Sequence, residues 1–340
     1  MNTMRRDERI LLEHGSGGLL SHELVAEVFL PAFRNKALES LDDGAIFEAK
    51  GLKLCFTTDS YVVDPIFFPG GDIGSLAVFG TVNDISVCGG RPLALSVGLI
   101  IEEGFPMEDL KRITSSMAQA AKQAGVSIVT GDTKVVAKGS ADGLFINTAG
   151  LGIVRPGGDF SADHIQEGDV ILVSGTIGDH GASILCKRRE LGIRSEILSD
   201  SAPLNGLIDD LLDSGVEVHF MRDPTRGGLG GVLVEIAKQV EATFELQEAS
   251  IPVRDEVKGL CELLGFDPLF LACEGRVVVF CHPRDVEKAL KVMRGHEYGR
   301  GVVAIGVVSK VGRGRVILRS PFGGFREIDL PVGELVPRIC

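Results

Sequence analysis

Gly74-Ser75-Leu76-Ala77-Val78-Phe79-Gly80-Thr81-Val82-Asn83-Asp84-Ile85-Ser86-Val87-Cys88 reads as a buried helix. Leu76, Val78, Phe79, Val82, Ile85 and Val87 leave it no polar face, and Gly89-Gly90-Arg91-Pro92 closes it with a strong stop signal. A carboxylate in so apolar a helix is costly unless it is paired or meets a cation, so Asn83-Asp84 points to function. Strands and helices surround it. Ala45 to Thr58 reads as two short strands joined near Lys50-Gly51, with Asp42-Asp43 before the first and Asp59 after the second. Leu93 to Ile101 is a strand, and Pro106 opens a helix that ends at Gly125. Val126 to Thr130 is a strand that carries Gly131-Asp132-Thr133-Lys134 at its far end, and Leu144 to Val154 is another. Asp132, Thr133 and Lys134 together offer a carboxylate, a hydroxyl and an ammonium, as a nucleotide-phosphate site needs. An Asp at a strand end is also a common turn former, because it bonds its own backbone there.

Arg155 to Gly168 is the most loop-like interior stretch and marks a domain boundary. Beyond it strands and helices alternate again. Strands are expected at Val170 to Ser174, Glu217 to Met221, Arg276 to Cys281, Val302 to Val308 and Arg315 to Arg319. Helices are expected at Gly178 to Glu190, Pro203 to Ser214 and Val253 to Leu264, with another opened by Pro283. The strand at 217–221 runs into Arg222-Asp223-Pro224-Thr225-Arg226-Gly227-Gly228 and then a helix to Val240, a loop able to bind anions or metal. Glu274 has apolar neighbours that would raise its pKa. Gly312-Arg313-Gly314-Arg315 reads as a basic hairpin turn.

Size and composition exclude several classes. At 340 residues the chain suggests two domains, and 44% hydrophobic with 24% charged residues is the balance of a globular protein with a sizeable core. No apolar run approaches the ~20 residues that span a bilayer. Arg5, Arg6 and Arg9 are not followed by a signal-length apolar stretch. Seven scattered cysteines, with no CxxC pair, argue against a disulfide framework and for a reducing cytoplasm. A net charge of −12, no tryptophan and two tyrosines argue against nucleic-acid binding.

Both ends of the chain carry candidate chemistry. His14-Gly15-Ser16-Gly17-Gly18 precedes a helix-like segment from about Leu20 to Phe33, and a glycine-rich loop leaves backbone N–H groups open to an anion. A flexible entry loop would look the same. The chain closes on Val336-Pro337-Arg338-Ile339-Cys340, a thiol where the backbone is least constrained, and residues 331–340 are expected to form a mobile tail. An unperturbed thiol pKa near ~8.5 leaves a minor thiolate fraction at neutral pH, which the adjacent terminal carboxylate would lower further and Arg338 would offset. No segment matches the P-loop pattern GxxxxGK[ST]. Yet Asp43, Asp59, Asp84, Asp132 and Asp223 recur at strand and helix ends, a dispersed ligand set that suits Mg²⁺.

These contexts resemble the aminoimidazole-ribonucleotide synthetase superfamily, which includes selenophosphate synthetase and thiamine-monophosphate kinase. The matching motifs are His14-Gly15-Ser16-Gly17-Gly18, Asp42-Asp43-Gly44-Ala45, Thr58-Asp59-Ser60, Asn83-Asp84-Ile85, Gly131-Asp132-Thr133-Lys134-Val135 and Asp223-Pro224-Thr225-Arg226-Gly227-Gly228. The terminal Pro337-Arg338-Ile339-Cys340 resembles the hydrogenase-maturation branch, the HypE family.

The resemblance implies a two-domain α+β, PurM-like architecture. A first domain (1–154) would bind ATP and pair its sheet with a second protomer into a barrel-like dimer core. An α/β domain (155–330) and the tail would follow. It implies a carbamoyl dehydratase using ATP and Mg²⁺, which converts an S-carboxamide on Cys340 to a thiocyanate and so supplies cyanide for the iron of nickel–iron hydrogenase. Its partners would be a HypF-type carbamoyltransferase and an iron-carrying HypC–HypD-type scaffold. Gly15, Gly17, Gly18, Asn83, Asp132, Thr133 and Lys134 would contact the nucleotide, and Asp43, Asp59, Asp84 and Asp223 the metal. Glu274 is the first choice of base, with His14 and Lys134 behind it. A small-molecule kinase or ligase with an idle Cys340, or a non-enzymatic nucleotide-gated carrier, are the alternatives.

Overall fold

The computed structural model describes residues 9–15, 17–38, 42–158, 160–188, 195–311, 313–331, 336 and 338–340. The N-terminal segment is helical: α1 (Leu19–Leu24), a π-helical turn (Val25–Phe29) and α2 (Leu30–Phe33). The first sheet contains β1 (Ala45–Ala49) and β2 (Leu52–Tyr61). A hairpin of β3 (Phe67–Phe68) and β4 (Gly71–Asp72) leads into α3 (Ile73–Val87). Then come β5 (Gly90–Glu102), α4 (Met107–Ala124), β6 (Ser127–Val136) and β7 (Leu144–Val154). The five-stranded sheet runs β1-β2-β7-β5-β6, with β5 and β6 parallel across α4 and the other neighbours antiparallel.

The buried helix expected from its sequence is α3. Asp72 caps it by accepting from the backbone N–H of Gly74 (2.8 Å) and Ser75 (3.0 Å), while the Asp72 N–H donates to Ser75 Oγ. Only Ser75 among its residues escapes burial, since the helix is wedged between the sheet and α4. Gly74 permits the close approach: a Cβ there would lie 2.7 Å from the Ile113 carbonyl oxygen. The polar groups are satisfied internally, with Thr148 Oγ1 donating to the Ala77 carbonyl at 3.1 Å. On α4, Ile113, Met117, Ala120, Ala121 and Ala124 form the buried stripe, and Gly125 ends the helix in the left-handed region.

Three strand boundaries differ from expectation. Arg91-Pro92 stop the helix but already belong to β5, because the left-handed Gly89 turns the chain at once into the sheet. Asp59 lies inside β2 rather than after it. Gly131-Asp132-Thr133-Lys134 does not sit beyond a strand either: β6 continues to Val136, held by β5 on one side.

The second sheet is built from β8 (Val170–Val173), β9 (Val218–Arg222), β10 (Ala242–Gln247), β11 (Val278–Cys281), β12 (Val303–Val311), β13 (Arg315–Arg319) and β14 (Phe325–Ile328). Its seven strands run β14-β13-β10-β12-β8-β11-β9. The helices are α5 (Asp179–Lys187), α6 (Asn205–Asp213), α7 (Gly228–Gln239), α8 (Asp255–Leu264) and α9 (Val286–Gly295). One face packs on α6 and α9, the other on α7. Strand β10 escaped the sequence reading although Ala242, Phe244 and Leu246 alternate inward. Its presence overturns the expected hairpin at 312–315: β12 and β13 pair with opposite sides of β10, so the basic link crosses the end of that strand. Gly312 itself lies outside the described residues.

The two halves are tied together. Asn205 donates to the Ala124 carbonyl at 2.9 Å, Arg91 pairs with Asp213 at 3.2 Å, and Arg155 bridges to Asp209 and Asp213. No helix among the described residues is long and apolar enough to cross a membrane.

Candidate active site

Where β2 and α3 of the first half meet the loop after β9, three carboxylates converge. Asp43 precedes β1, Asp84 projects from α3, and Asp223 follows β9; one oxygen of each lies within 4.8 Å of the others. Strand alternation turns Thr57 toward α3, where its hydroxyl donates to Asp84 Oδ2 at 2.8 Å. Arg222 holds Asp43 through Nε–Oδ1 at 2.7 Å. Asp223 Oδ2 is buried with no hydrogen-bond partner.

Burial pushes the Asp43 carboxyl up to about 6, Asp42 and Asp59 adding repulsion and Arg222 opposing it. Burial drives Asp84 and Asp223 well above the usual carboxylate range; Asp59, Asp223 and Asp43 add repulsion at Asp84, and Asp43 and Asp59 at Asp223, where Arg222 opposes it. Three mutually repelling, hard oxygen donors with an orphaned buried oxygen are the chemistry that a divalent cation neutralises. The donor set fits such an ion.

The carboxylates line a cleft of about 720 Å³, a volume within the range of small-molecule sites. Asp59 and Tyr61 of β2 face it, Tyr61 donating to Asp59 at 3.1 Å. Glu274 comes from the loop before β11, is 3% exposed, and has Oε1 buried without a hydrogen-bond partner. Burial first, then Asp223, Asp200 and Asp59, push its pKa well up. Arg226 stands opposite; the negative charge at Cys340, then Asp59 and Glu274, raise its pKa against burial. The N-terminal helices and α7 add a mixed lining, with Leu19, Val25, Val232 and Ile236 beside the charged Glu235 and Lys238. Here the π-helical turn carries Val25, and His22 bridges to Glu235 of α7 at 2.8 Å.

The chain end closes the site. Cys340 lines this cleft and a smaller one beside it, its main-chain oxygen accepting from the Val62 N–H at 3.0 Å. The Arg338 carbonyl accepts from the Asp64 N–H at 3.2 Å, and Ile339 is buried against the first core. A mobile tail was expected, in solvent, in another protein or folded back into its own cleft; in the structure residues 338–340 lie against the fold, held by backbone bonds just past β2.

Other expected residues fall elsewhere. Asn83 does not reach the cleft. Its amide donates to the carbonyls of Ala202 (3.1 Å) and Glu274 (3.3 Å) and accepts from the Leu204 N–H (2.8 Å), so it clasps the two halves and positions the Glu274 backbone. Asp132, Thr133 and Lys134 lie on the exposed β6, and Lys134 pairs with Asp132 at 2.7 Å. Pairing aligns Ser60, Asn147, Gly98 and Asp132 across the sheet, which sets Asp132 about 14 Å from β2, three strand spacings. By alternation Asp132 and Lys134 share the sheet face opposite that of Asp59.

Gly17 lines the cleft and packs on Arg226, whose guanidinium donates to the Gly15 carbonyl at 3.1 Å. Gly18 caps a helix of only 6 residues. His14 accepts from the Leu11 N–H at 3.1 Å and is not among the residues that line the cleft. Thr57 and Tyr61 were missed, although the alternation of β2 around Asp59 was the signal that could have found them.

Two family models span this architecture: AIR synthase related protein, N-terminal domain, over residues 41–154, and its C-terminal domain over residues 166–319. The fold and cleft therefore define a two-domain AIR synthase-related protein of PurM-like fold. Among curated relatives, carbamoyl dehydratase HypE of Azotobacter vinelandii is 48% identical over 335 residues, covering 98% of each chain. A crystal structure of hydrogenase maturation protein HypE in complex with ATP aligns at TM-score 0.82 and 46% identity, covering 98% of this chain and 100% of that one. A HypE–HypF complex aligns at TM-score 0.86 and 49% identity, covering 91% and 99%. The chain belongs to the HypE family of hydrogenase-maturation carbamoyl dehydratases.

Proposed function

We propose that this enzyme dehydrates a carbamoyl group carried on its own Cys340, with ATP bound in the cleft, to give a protein thiocyanate and supply cyanide ligands for the iron of nickel–iron hydrogenase. The observation that carries the reading is that Cys340 lines the same cleft as Glu274, Arg226 and the three converging carboxylates. The ATP complex of a 46%-identical relative supports the nucleotide. The HypE–HypF complex supports a HypF-type carbamoyltransferase as the donor partner. An iron-carrying scaffold of the HypC–HypD type would receive the product, in the cytoplasm.

The carboxamide oxygen is a poor leaving group. Attack of that oxygen on the γ-phosphorus breaks the bond to ADP and leaves a phosphorylated imidate on sulfur. Removal of the N–H protons and cleavage of the C–O bond then give S–C≡N and phosphate. Asp43, Asp84 and Asp223 would hold Mg²⁺, which when bound offsets triphosphate charge. Arg226 neutralises charge beside Cys340. Glu274, with a raised pKa and an orphaned oxygen, is the group that takes the proton.

The same reading includes a homodimer. The sheet face turned away from α3 exposes Phe56, Ile100 and Phe47, and β6 is an edge strand of 10 residues. Pairing of this face with a second copy would cover it, and would give Asp132 and Lys134 a protein environment. In the test of the function, Cys340→Ala should bind ATP like the parent and lose carbamoyl-dependent ATP turnover; full turnover would return the chain to the kinase-like alternative.

A further inference from the structure

Oε1 of Glu274 is buried without a hydrogen-bond partner, so the aim of that side chain depends on how the main chain beneath it is held. The loop is fixed at successive peptide groups. The Cys273 N–H donates to the Pro224 carbonyl at 3.0 Å, which ties the loop to the one that carries Asp223. The Glu274 carbonyl accepts from Asn83 at 3.3 Å, and the Gly275 carbonyl from Arg276 Nη1 at 2.9 Å. The Glu274 N–H donates to Asp200 Oδ1 at 3.2 Å.

Asp200 belongs to the segment that leads into α6, and that segment lies directly across the loop. A Cβ on Gly275 would stand 1.9 Å from the Asp200 carbonyl oxygen and 2.9 Å from the Ala202 nitrogen, an approach that only glycine allows. On the other side the Ser199 N–H donates to the Pro69 carbonyl in the β3–β4 turn at 2.8 Å. The segment is therefore pinned between the first half and the Glu274 loop. The Asp200 side chain is 1% exposed, and a buried carboxylate is costly unless it is paired. Its contact to Arg276 Nε is long, 3.5 Å, and its Oδ2 has no hydrogen-bond partner. That Nε already donates to the Thr176 carbonyl at 2.8 Å, and Nη2 pairs with Asp179 at 3.5 Å. Arg276 thus has partners without Asp200, and the bond that Asp200 makes well is the one from the Glu274 N–H.

We propose that Asp200 is a positioning residue for the dehydration: by holding the Glu274 N–H, it sets the direction from which the Glu274 carboxyl meets the carbamoyl group on Cys340. Asp200 is not among the residues that line the cleft, so it acts through Glu274. The inference rests on the reading of Glu274 as the base.

The test is single-turnover dehydration of carbamoylated full-length protein, quenched and read by mass across a range of ATP concentrations. Asp200→Ala should slow the step at saturating ATP by about 10–100-fold, because a reacting group displaced by about 1 Å can cost ~100-fold. The ATP concentration for half-maximal rate should stay within about twofold. Asp200→Asn keeps the acceptor oxygen and drops the charge, and should stay within about threefold of the parent. Asp200→Glu keeps the charge but moves the oxygen, and should be slowed at least about tenfold. In a Glu274→Gln background, Asp200→Ala should slow the step less than about twofold further, since the group it positions is already disabled. Asp200→Ala at parent speed, equal losses in Asp200→Ala and Asp200→Asn, or a full second loss on top of Glu274→Gln would each overturn the proposal. Should Asp200→Ala fail to fold, the Asn and Glu variants decide: a slow Asn beside a fast Glu would make the charge, not the bond, the function of Asp200. Glu274→Gln at parent speed sinks the base and this inference with it, whereas a slow Glu274→Gln beside a fast Asp200→Ala sinks only the positioning role.

Discussion

Asp84 stands in an apolar helix beside two more acids, and the arrangement has a definite pH signature. Asp43 is raised from 3.8 to about 6, and Asp84 and Asp223 move the same way. For carboxylates raised on folding, the folded state holds the extra protons. Their contribution to stability is therefore fully present below about pH 4 and is lost as pH rises through the folded values. For Asp43 alone the loss is on the order of 3 kcal/mol, at about 1.4 kcal/mol per pKa unit. A thermal-melt series should show the cation-free protein losing stability from pH 4 to beyond 6, and Mg²⁺ restoring it most strongly at the alkaline end. Asp84→Asn should melt higher than the parent without Mg²⁺ at neutral pH and gain little from adding it. A variant that responds to Mg²⁺ like the parent would remove Asp84 from the site. Glu274→Gln keeps shape but not basicity; it should bind ATP normally and slow dehydration by about 10²–10⁴. Unchanged single-turnover rates would pass the role of base to another group.

At the scale of elements, local signals carried much of the fold. The apolar run of α3, the Pro and Gly that bound α4, and the period-two pattern of the strands were legible because each is settled by neighbours in sequence. Asp43, Asp84 and Asp223 were singled out residue by residue, and their convergence needed only the elements that carry them. What failed depended on pairing across the chain. Asp132 and Lys134 were assigned to a loop, yet the parallel register with β5 draws them into a strand and fixes the face they share. Asn83 looked like a ligand beside Asp84, but one residue along a helix turns the side chain about 100°, here toward the second half. Docking of the tail depends on amides just past β2 and on His180, which lies 159 residues before Ile339 in sequence. The closeness of α3 and α4 is itself testable. Gly74→Ala places a methyl within contact of Ile113 and Met117 and should cost about 1–3 kcal/mol, read as a lowered melting temperature. An unshifted melt would mean that the helices part freely there.

For the whole molecule, the uncovered sheet face and the cleft are two surfaces with different work. Ile100, 44% exposed on that face in β5, the strand beside the edge strand β6, lies away from the cleft residues. Ile100→Asp should convert a dimer to a monomer in sedimentation velocity while leaving the thermal melt of the second half in place; a parent that is monomeric across a wide concentration range would contradict the dimer. The cleft joins elements from both halves and the chain end, which is why the thiol, the acids and Arg226 meet only in the assembled fold. The most direct measurement of the central claim is mass spectrometry of the C-terminal peptide from carbamoylated protein, before and after ATP. The account predicts that the peptide ending in Cys340 loses the mass of one water only when ATP and Mg²⁺ are present. Loss of water on Cys55, Cys88, Cys186, Cys261, Cys273 or Cys281 instead, or no loss on the peptide that carries Cys340, would contradict it.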